Sequence, residues 1–340
     1  MQTSDLQDVD GPDPEFDTEV DEALGVEDDF ERASLYSVKS EIKRFQFENG
    51  RTYHSMSEGK YNYPNDDEEN SRLELQHRIW NLTLDGELAL CPAHKTAKNV
   101  LDMGTGTGIW AIDYADAFPS AQVIGVDLSP IQPEWVPNNC SFEIDDLEKR
   151  WAWSEPFDFI FCRTMEGSFS HPVSIIHKIY EALEPRGWFE TGGFVLPIGC
   201  IDSTLFESPA LMRWHETMYE AGNVIGRSIE SPSKHVDAIR TAGFVDVTVK
   251  RFAWPLNSWP KEKKLKEIGM LHYVNLDLAL EGLSLGLFTR ALGWTRQEVL
   301  DLCAEARMDL KNRKIHAYWN VQVVYARKPG RASRKGVEHE

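Results

Sequence analysis

A glycine-rich turn between an apolar strand and a helix constrains the fold of this chain most strongly. Residues Val100–Trp110 read Val-Leu-Asp-Met-Gly-Thr-Gly-Thr-Gly-Ile-Trp. Lys98–Leu101 predicts a short buried strand, and Ile109–Phe118 carries apolar residues at helical spacing. The three glycines therefore fall in a strand-to-helix turn, where glycine permits close backbone approach and the helix N-terminus offers unpaired N–H donors. This arrangement predicts a nucleotide-type ligand.

The spacing of these glycines and the charge beside them separate two ligand classes. A dinucleotide fingerprint, Gly-x-Gly-x-x-Gly, requires a glycine where this chain has Ile109, because the third glycine here is Gly108. Asp102 stands at the end of the strand. A carboxylate there repels a pyrophosphate and attracts a ligand that carries an ammonium and a sulfonium. The turn therefore predicts S-adenosylmethionine (SAM) as the cofactor.

The acidic charge of the chain is concentrated at its N-terminus. The formal net charge of the 340 residues is −19, yet residues 1–31 contain 13 acidic residues and no Lys or Arg. The rest of the chain holds 42 acidic and 36 basic residues and is only mildly acidic, so we expect no direct nucleic-acid partner. Residues 1–33 are polar and short of large apolar side chains, which predicts a disordered acidic tail.

The cysteines and the hydropathy pattern indicate an intracellular protein. The five cysteines are odd in number and widely spaced, which predicts neither a disulfide framework nor a metal site. No apolar run approaches the ~20 residues of a membrane span, and the acidic N-terminus is unlike a signal peptide. We expect a cytoplasmic location, with the nucleus as the alternative, because Arg327–Lys335 is a weak nuclear-import signal.

An aromatic and partly helical segment, residues 34–90, precedes the glycine turn. Its apolar residues predict a helix at Glu68–Leu84 with one buried side. We expect this helical cap segment to cover the open end of the cofactor pocket, with Tyr53 in contact with the cofactor. The alternative is that the aromatic residues of the segment are ordinary packing residues, namely Tyr53, His54, Tyr61 and Tyr63.

Strands alternate with helices over residues 91–330, which predicts an α/β domain with parallel strands and a ligand at their carboxyl ends. Residues 254–316, before the last strand, predict a helical insertion that acts as a substrate lid or as a partner interface. Residues 331–340 are predicted to be a flexible tail. The strands predicted after the glycine turn are Gln122–Val126, Ser141–Ile144, Phe157–Cys162, Trp188–Leu196, Val245–Phe252 and Tyr318–Ala326.

Charged residues at the strand ends predict the cofactor contacts. Asp127 lies 19 residues after Gly108, close to the spacing of ribose-binding acids, and a plain turn residue is the alternative. Asp146, or alternatively Asp145, is expected to accept the exocyclic amine of adenine, unless it caps the next turn. The predicted cofactor-binding residues are Asp102, Gly104, Thr105, Gly106, Gly108, Asp127, Leu128, Asp145, Asp146, Leu147, Arg163 and Tyr53.

Taken together, these residues resemble the class I SAM-dependent methyltransferases, and among them the fungal LaeA-like group of secondary-metabolism regulators and tailoring enzymes. The resemblance covers the chain from about Tyr53 to Pro329. The motifs that carry it are Tyr61–Asp66, Leu73-x-Leu75-Gln76-His77, Leu101–Asp113, Gly125–Pro133, Phe142–Asp146, Leu287–Arg290 and Ile315–Tyr318.

The resemblance implies a Rossmann-like, seven-stranded, mostly parallel sheet with helices on both faces. Its last strand is expected to be antiparallel and to lie between strands five and six. The resemblance also implies SAM as the cofactor and, as a partner, a velvet-type transcriptional regulator or a related methyltransferase.

The implied activity is methyl transfer to a small secondary metabolite or a protein side chain, within a complex that regulates fungal secondary metabolism or development. The alternative is a SAM-binding regulatory subunit with little turnover. A dinucleotide oxidoreductase is disfavoured by Ile109 and Asp102.

Two positions depart from the pattern of this group. Relatives usually carry Pro-Gly-Gly-Trp where this chain has Pro185-Arg186-Gly187-Trp188. They commonly carry polar or acidic residues where this chain has Gly192-Gly193. We expect these two glycines to remove side chains that face the substrate pocket.

The sequence does not single out a catalytic residue. Methyl transfer from a sulfonium is an in-line displacement, in which alignment and exclusion of water supply most of the rate. A general base helps only when the acceptor must lose a proton. The side chains able to serve are His54, His171, His177, Glu190, His215 and Tyr219.

Deletion of residues 1–31 is expected to leave the melting temperature and the SAM affinity unchanged, because so charged a segment buries little apolar surface. Thermal denaturation and calorimetric titration check this. If the tail docks a basic partner, its deletion weakens that association most at low salt, because salt screens exposed charges. A large loss of stability on deletion would contradict the prediction.

Overall fold

A seven-stranded mixed sheet organises the computed structural model, which describes residues 45–56, 60–230 and 234–330. A short hairpin of β1 (Gln46–Glu48) and β2 (Arg51–Tyr53) precedes this sheet. The strands of the sheet are β3 (Asn99–Met103), β4 (Gln122–Asp127), β5 (Cys140–Ile144), β6 (Phe157–Arg163), β7 (Leu183–Cys200), β8 (Val245–Pro255) and β9 (Ala317–Arg327).

The strand order is β5-β4-β3-β6-β7-β9-β8. Strands β3 to β7 pair in parallel, whereas β9 is antiparallel to both of its neighbours. The predicted place of the last strand, between the fifth and sixth strands of the sheet, is therefore confirmed. The chain runs outward from β3 to β5 and returns to β6, so the direction switches between β3 and β6. Ligands of such sheets bind in the crevice at this switch point.

Helices cover both faces of the sheet because side chains of β3 alternate between two cores. Val100 packs in a cluster with Trp110, whereas Leu101 packs in a second cluster with Ile175 and Ile179. The predicted two-faced α/β architecture is confirmed. The helices are α1 (Asp67–Thr83), α2 (Ile109–Ala117), α3 (Pro172–Ala182), α4 (Pro209–Val224), α5 (Val236–Thr241), α6 (Lys263–Leu292) and α7 (Arg296–Lys311).

A third core joins α1, α4, α6 and α7 to the antiparallel part of the sheet. Its members include Trp80, Trp214, Leu280, Leu302 and Val321. The insertion predicted before the last strand supplies α6 and α7, and the predicted capping box of Thr295 and Glu298 begins α7. Among the described residues, every helix is too short or too polar to span a bilayer.

Strand β7 starts earlier than the sequence predicted. Residues 184–187, which precede the predicted start of the strand at Trp188, form a bulge in β7, between the pairs Leu183–Phe157 and Trp188–Phe159. Arg186 lies in this bulge with φ 75°. The strand therefore begins at Leu183, ahead of the Pro and Gly residues of this segment.

The N-terminal cap segment also contains more than a helix. Its described part begins with the β1–β2 hairpin, and α1 follows at Asp67–Thr83, close to its predicted bounds. Asp66 caps α1 by accepting the backbone N–H of Glu69. The predicted acidic tail, residues 1–33, and the predicted flexible tail, residues 331–340, lie outside the described residues.

A buried arginine, ion-paired within α1, fastens this helix to α6. Arg72 donates two hydrogen bonds to Glu69, at 2.8 and 2.7 Å, and one to the side-chain oxygen of Asn275, at 2.9 Å. All three residues are at most 5% exposed. Removing one partner of such a pair leaves an uncompensated charge in the interior.

Replacement Arg72→Met is therefore expected to lower the free energy of unfolding by about 3–5 kcal/mol, the usual cost of breaking a buried pair. The matched control is Arg307→Met, which removes a partly exposed arginine paired with Asp277 and Glu281. These partly exposed contacts of Arg307 are expected to contribute about 1 kcal/mol or less to the free energy of unfolding. Denaturant titrations compare the two variants, and equal losses would refute the distinction.

Candidate functional site

Three adjoining cavities lie at the carboxyl ends of the parallel strands. The strand-end cavity is lined by residues that follow β3 to β6, and the glycine-turn cavity by the turn before α2. The apolar cavity is lined mainly by side chains of α1, α4, α6, β7 and β9. Leu73 and Thr164 line all three cavities, so the cavities adjoin at these residues.

Ten of the twelve predicted cofactor-binding residues line the first two cavities. The strand-end cavity contains Gly104, Gly106, Asp127, Leu128, Asp145, Asp146, Leu147 and Arg163. The glycine-turn cavity shares Gly104, Gly106 and Arg163 and adds Asp102 and Thr105.

The glycine turn approaches its neighbours too closely for larger residues. Gly104 has φ +69°, and a Cβ there would lie 2.0 Å from Sδ of Met165. Gly108 has φ +81°, and a Cβ there would lie 2.3 Å from Cζ of Phe142. Gly108 lies against Phe142 behind the turn, where it precedes α2, and it does not line either cavity. Its contact with the cofactor stays a prediction.

Asp127 fixes the glycine turn and retains acceptor capacity. Its Oδ2 accepts the backbone N–H of Gly106 at 2.8 Å, and its Oδ1 accepts that of Ser129 at 3.0 Å. Burial raises the pKa of Asp127, although these backbone donors act in the opposite direction. A carboxylate offers about four lone-pair sites. The remaining sites suit the two hydroxyl groups of a ribose.

Asp102 and Arg163 place opposite charges at the glycine-turn cavity. Asp102 is 3% exposed and accepts a 2.6 Å hydrogen bond from the hydroxyl of Thr105. Burial raises the pKa of Asp102 to about 7. One guanidinium nitrogen of Arg163 donates to Nδ1 of His77 at 2.7 Å. The other, Nη1, is buried and has no hydrogen-bond partner among the described residues.

This arrangement fits the methionine end of SAM. The unpartnered donor of Arg163 suits the ligand's carboxylate, and the carboxylate of Asp102 suits its ammonium. Buried donors are rarely left unpaired in proteins. The geometry therefore supports the predicted cofactor through the carboxylate and the ammonium of its methionine end.

The two candidate adenine contacts both line the strand-end cavity. Asp146 is 3% exposed, and its Oδ2 lies 2.5 Å from Nζ of Lys60. The backbone N–H of Asp146 donates to the carboxylate of Asp145 at 2.7 Å. The hydrogen bond that the Asp146 carboxylate accepts from Lys60 raises the pKa of Lys60. Which of the two aspartates accepts the adenine amine remains a prediction.

Helix α1 contributes a set of lining residues that the sequence analysis missed. Leu73, Gln76, His77 and Trp80 all line the glycine-turn cavity. They recur at positions three and four apart, so they form one stripe of the helix. The sequence predicted that this segment covers the cofactor pocket, but it did not indicate which face of the helix lines the cavity.

Tyr53 does not line the three cavities, and its contact with the cofactor stays a prediction. Its ring is 1% exposed and lies under the guanidinium of Arg290, 4.7 Å from the ring centre. The tyrosine of the segment that reaches the strand-end cavity is Tyr61. The ring contact with Arg290 supports the packing alternative for Tyr53.

Gly192 faces Trp80 in the structure, whereas the sequence placed this glycine at the substrate pocket. A Cβ on Gly192 would lie 3.1 Å from the ring of Trp80. The absence of a side chain therefore makes room for Trp80 beside the glycine-turn cavity. It does not open a substrate pocket directly.

Among the side chains considered as general bases, His215 lines the apolar cavity. His171 and His177 are exposed on α3 and its N-terminus. His54 is held between the carbonyls of Met56 and Tyr61, at 2.6 and 3.0 Å. The remaining two candidates make contacts elsewhere.

Glu190 is 1% exposed and accepts the backbone N–H groups of Leu90 and Cys91, at 2.8 and 2.6 Å. Burial raises the pKa of Glu190 to about 8. Tyr219 is 38% exposed and donates to Glu230. Neither residue lines the three cavities.

The fold and the paired charges of the site define a class I SAM-dependent methyltransferase. A methyltransferase-domain family model matches residues 75–192. Methyltransferase pytC of Aspergillus terreus is 39% identical over 298 residues, covering 87% of this chain and 92% of that protein.

Two proteins of Emericella nidulans are also similar. The protein-methionine methyltransferase laeA is 33% identical, with 87% of this chain and 79% of that protein covered. The probable methyltransferase tdiE is 30% identical, with 86% and 92% covered. This chain belongs to the LaeA-like family of fungal methyltransferases, and its cofactor is SAM.

The affinity for S-adenosylhomocysteine is expected to fall as the pH falls below about 7. In the free protein Asp102, with its pKa raised to about 7, takes up a proton there, and that proton must leave before an ammonium binds. The amine of S-adenosylhomocysteine has an ordinary pKa of about 8, so it stays charged below pH 7.

Calorimetric titrations between pH 5.5 and 8 measure this dependence, with about a tenfold loss of affinity for each pH unit below the pKa. The variant Asp102→Asn is expected to bind weakly and with a flat profile. A flat profile in the unmodified protein would contradict the assignment.

Proposed function

We propose that this protein transfers the methyl group of SAM, bound in the strand-end and glycine-turn cavities, to an acceptor held in the apolar cavity. The observation that carries the proposal is the junction of the three cavities at Leu73 and Thr164. A cofactor on one side of this junction and an acceptor on the other are adjacent, and such alignment supplies much of the rate of a displacement.

The protein's part in this reaction is binding and orientation. SAM supplies an electrophilic methyl group on a sulfonium. Asp127 holds the ribose, Asp102 and Arg163 hold the two charged groups of the methionine end, and Asp145 or Asp146 holds the adenine. Leu73 and Tyr61 line both the strand-end cavity and the apolar cavity, and they exclude water from the junction between them.

We propose a small molecule as the acceptor, because the apolar cavity is lined by rings and aliphatic side chains. The name of the E. nidulans relative laeA, a protein-methionine methyltransferase, keeps a protein side chain as the alternative. The same relative is also named a secondary metabolism regulator. That name supports a role in regulating secondary metabolism, for which we propose a velvet-type partner and a cytoplasmic or nuclear location.

The direct test combines ligand binding with methyl transfer. Calorimetry is expected to show saturable binding of SAM and S-adenosylhomocysteine and none of NAD. Incubation of a fungal extract with the protein and SAM carrying a tritiated methyl group is expected to label a small-molecule fraction. Label in protein alone would support the side-chain alternative. Binding without transfer, with or without a velvet-type regulator, would support the regulatory-subunit alternative.

Replacement Asp127→Ala is expected to weaken SAM binding by about 1.5–3 kcal/mol, the usual loss for a hydrogen bond to a charged group. Because Asp127 also holds the glycine turn, Asp127→Asn serves as a second variant that keeps one acceptor oxygen. The control is Asp237→Ala, whose side chain is 97% exposed. Normal SAM binding by Asp127→Ala, in a protein with an unchanged melting temperature, would refute the ribose contact.

A further inference from the structure

The apolar cavity has the lining of a site for a ring-containing small molecule. Its lining is dominated by large apolar side chains from β7, α4, α6 and β9, among them Phe194, Trp214, Met218, Leu276 and Trp319.

The charges in the lining are balanced and held by the protein. Arg72 and Glu166 are the ionised side chains that line the cavity in the described part of the chain. Arg72 is bound by Glu69 and Asn275, and Glu166 accepts the backbone N–H of Phe194 at 2.6 Å. A charged acceptor would lack a matching free partner here, and burial of an unpaired charge is costly. The cavity therefore favours an uncharged molecule.

Two ring nitrogens of lining residues lack partners. Nε2 of His215 and Nε1 of Trp319 are buried without a hydrogen bond to the described residues. In contrast, the ring nitrogen of Trp214 donates to Ser284 at 2.7 Å. Burial lowers the pKa of His215, so its imidazole is neutral near pH 7. With its proton on Nδ1, His215 offers an acceptor, whereas Trp319 offers a donor.

We propose that the apolar cavity takes an uncharged aromatic alcohol, whose hydroxyl group donates to His215 and whose ring lies between Trp214 and Trp319. This inference rests on the proposed methyl transfer and narrows its acceptor. A second oxygen on the acceptor, such as a ketone or ether, would accept the free N–H of Trp319. His215 is then the specificity-determining residue for a hydroxyl group.

The methyl transfer to such an alcohol conserves atoms and electrons. The acceptor oxygen forms the new C–O bond to the methyl group, and the sulfur–methyl bond breaks with its electron pair remaining on sulfur, which becomes a thioether. The hydroxyl proton passes to Nε2 of His215 and leaves to solvent after the product departs.

The experiment uses binding of four naphthalene compounds to the full chain with saturating S-adenosylhomocysteine. The compounds are 2-naphthol, 2-methoxynaphthalene, 2-naphthoate and 2-naphthylmethylammonium, and calorimetry measures each affinity. We expect 2-naphthol to bind at least tenfold more tightly than either charged compound. The variant His215→Phe is expected to lower the affinity for 2-naphthol about tenfold, the effect of losing one hydrogen bond. Its affinity for 2-methoxynaphthalene, which has no hydroxyl proton, is expected to stay unchanged.

The matched control is His235→Phe, which replaces a half-buried histidine that does not line the cavity. It is expected to leave all four affinities unchanged. Equal or tighter binding of a charged compound would overturn the proposal. An equal loss of affinity for 2-naphthol and 2-methoxynaphthalene in His215→Phe would also overturn the proposal. So would a failure of these two uncharged compounds to bind the unmodified protein. SAM binding is measured separately. Its failure would refute the proposed function and with it this inference, whereas failure of the naphthalene predictions in a protein that binds SAM would overturn the inference alone.

Discussion

The compensation of buried carboxylates by Arg163 is the interaction on which the site depends. Asp102 and Glu190 are both nearly inaccessible to solvent, and burial raises the pKa of each. The guanidinium of Arg163 attracts both groups. Arg163 also donates to His77, whose other ring nitrogen meets Asp113 at 2.9 Å. One arginine at the end of β6 thus joins the central strand, the neighbouring strand β7 and helix α1 in a single electrostatic unit.

The junction of the cavities also contains a residue with a strained backbone. Thr164 follows Arg163 with φ 51°, a left-handed conformation that is unusual for a β-branched residue. Its backbone N–H donates to the carbonyl of Gly192 at 2.8 Å, which holds the turn against β7. Such strain persists where the surrounding structure fixes it, and it is often found at functional sites. The position of Thr164 is therefore set by the sheet.

The central sheet, and the convergence of most candidate cofactor residues on one edge of it, could be predicted because their signals are local. The glycine spacing, the acid after each strand and the alternation of strands with helices each occupy a few consecutive residues. The contacts of Gly108 with Phe142 and of Tyr53 with Arg290 could not be predicted, because these partners are distant in the sequence. The lining residues of α1 were not singled out for the same reason. Amphipathic spacing shows that a helix face is buried, but the element it faces is decided by tertiary packing.

The way the apolar cavity is assembled has a consequence for protein engineering. Leu73 and Thr164 belong to all three cavities, whereas Trp214, Leu276 and Trp319 border the apolar cavity and not the strand-end or glycine-turn cavity. These three residues are contributed by α4, α6 and β9, downstream of the strands that carry the predicted cofactor contacts. The proposed recognition of acceptors can therefore be redesigned at these three side chains, without a substitution in the lining of the other two cavities.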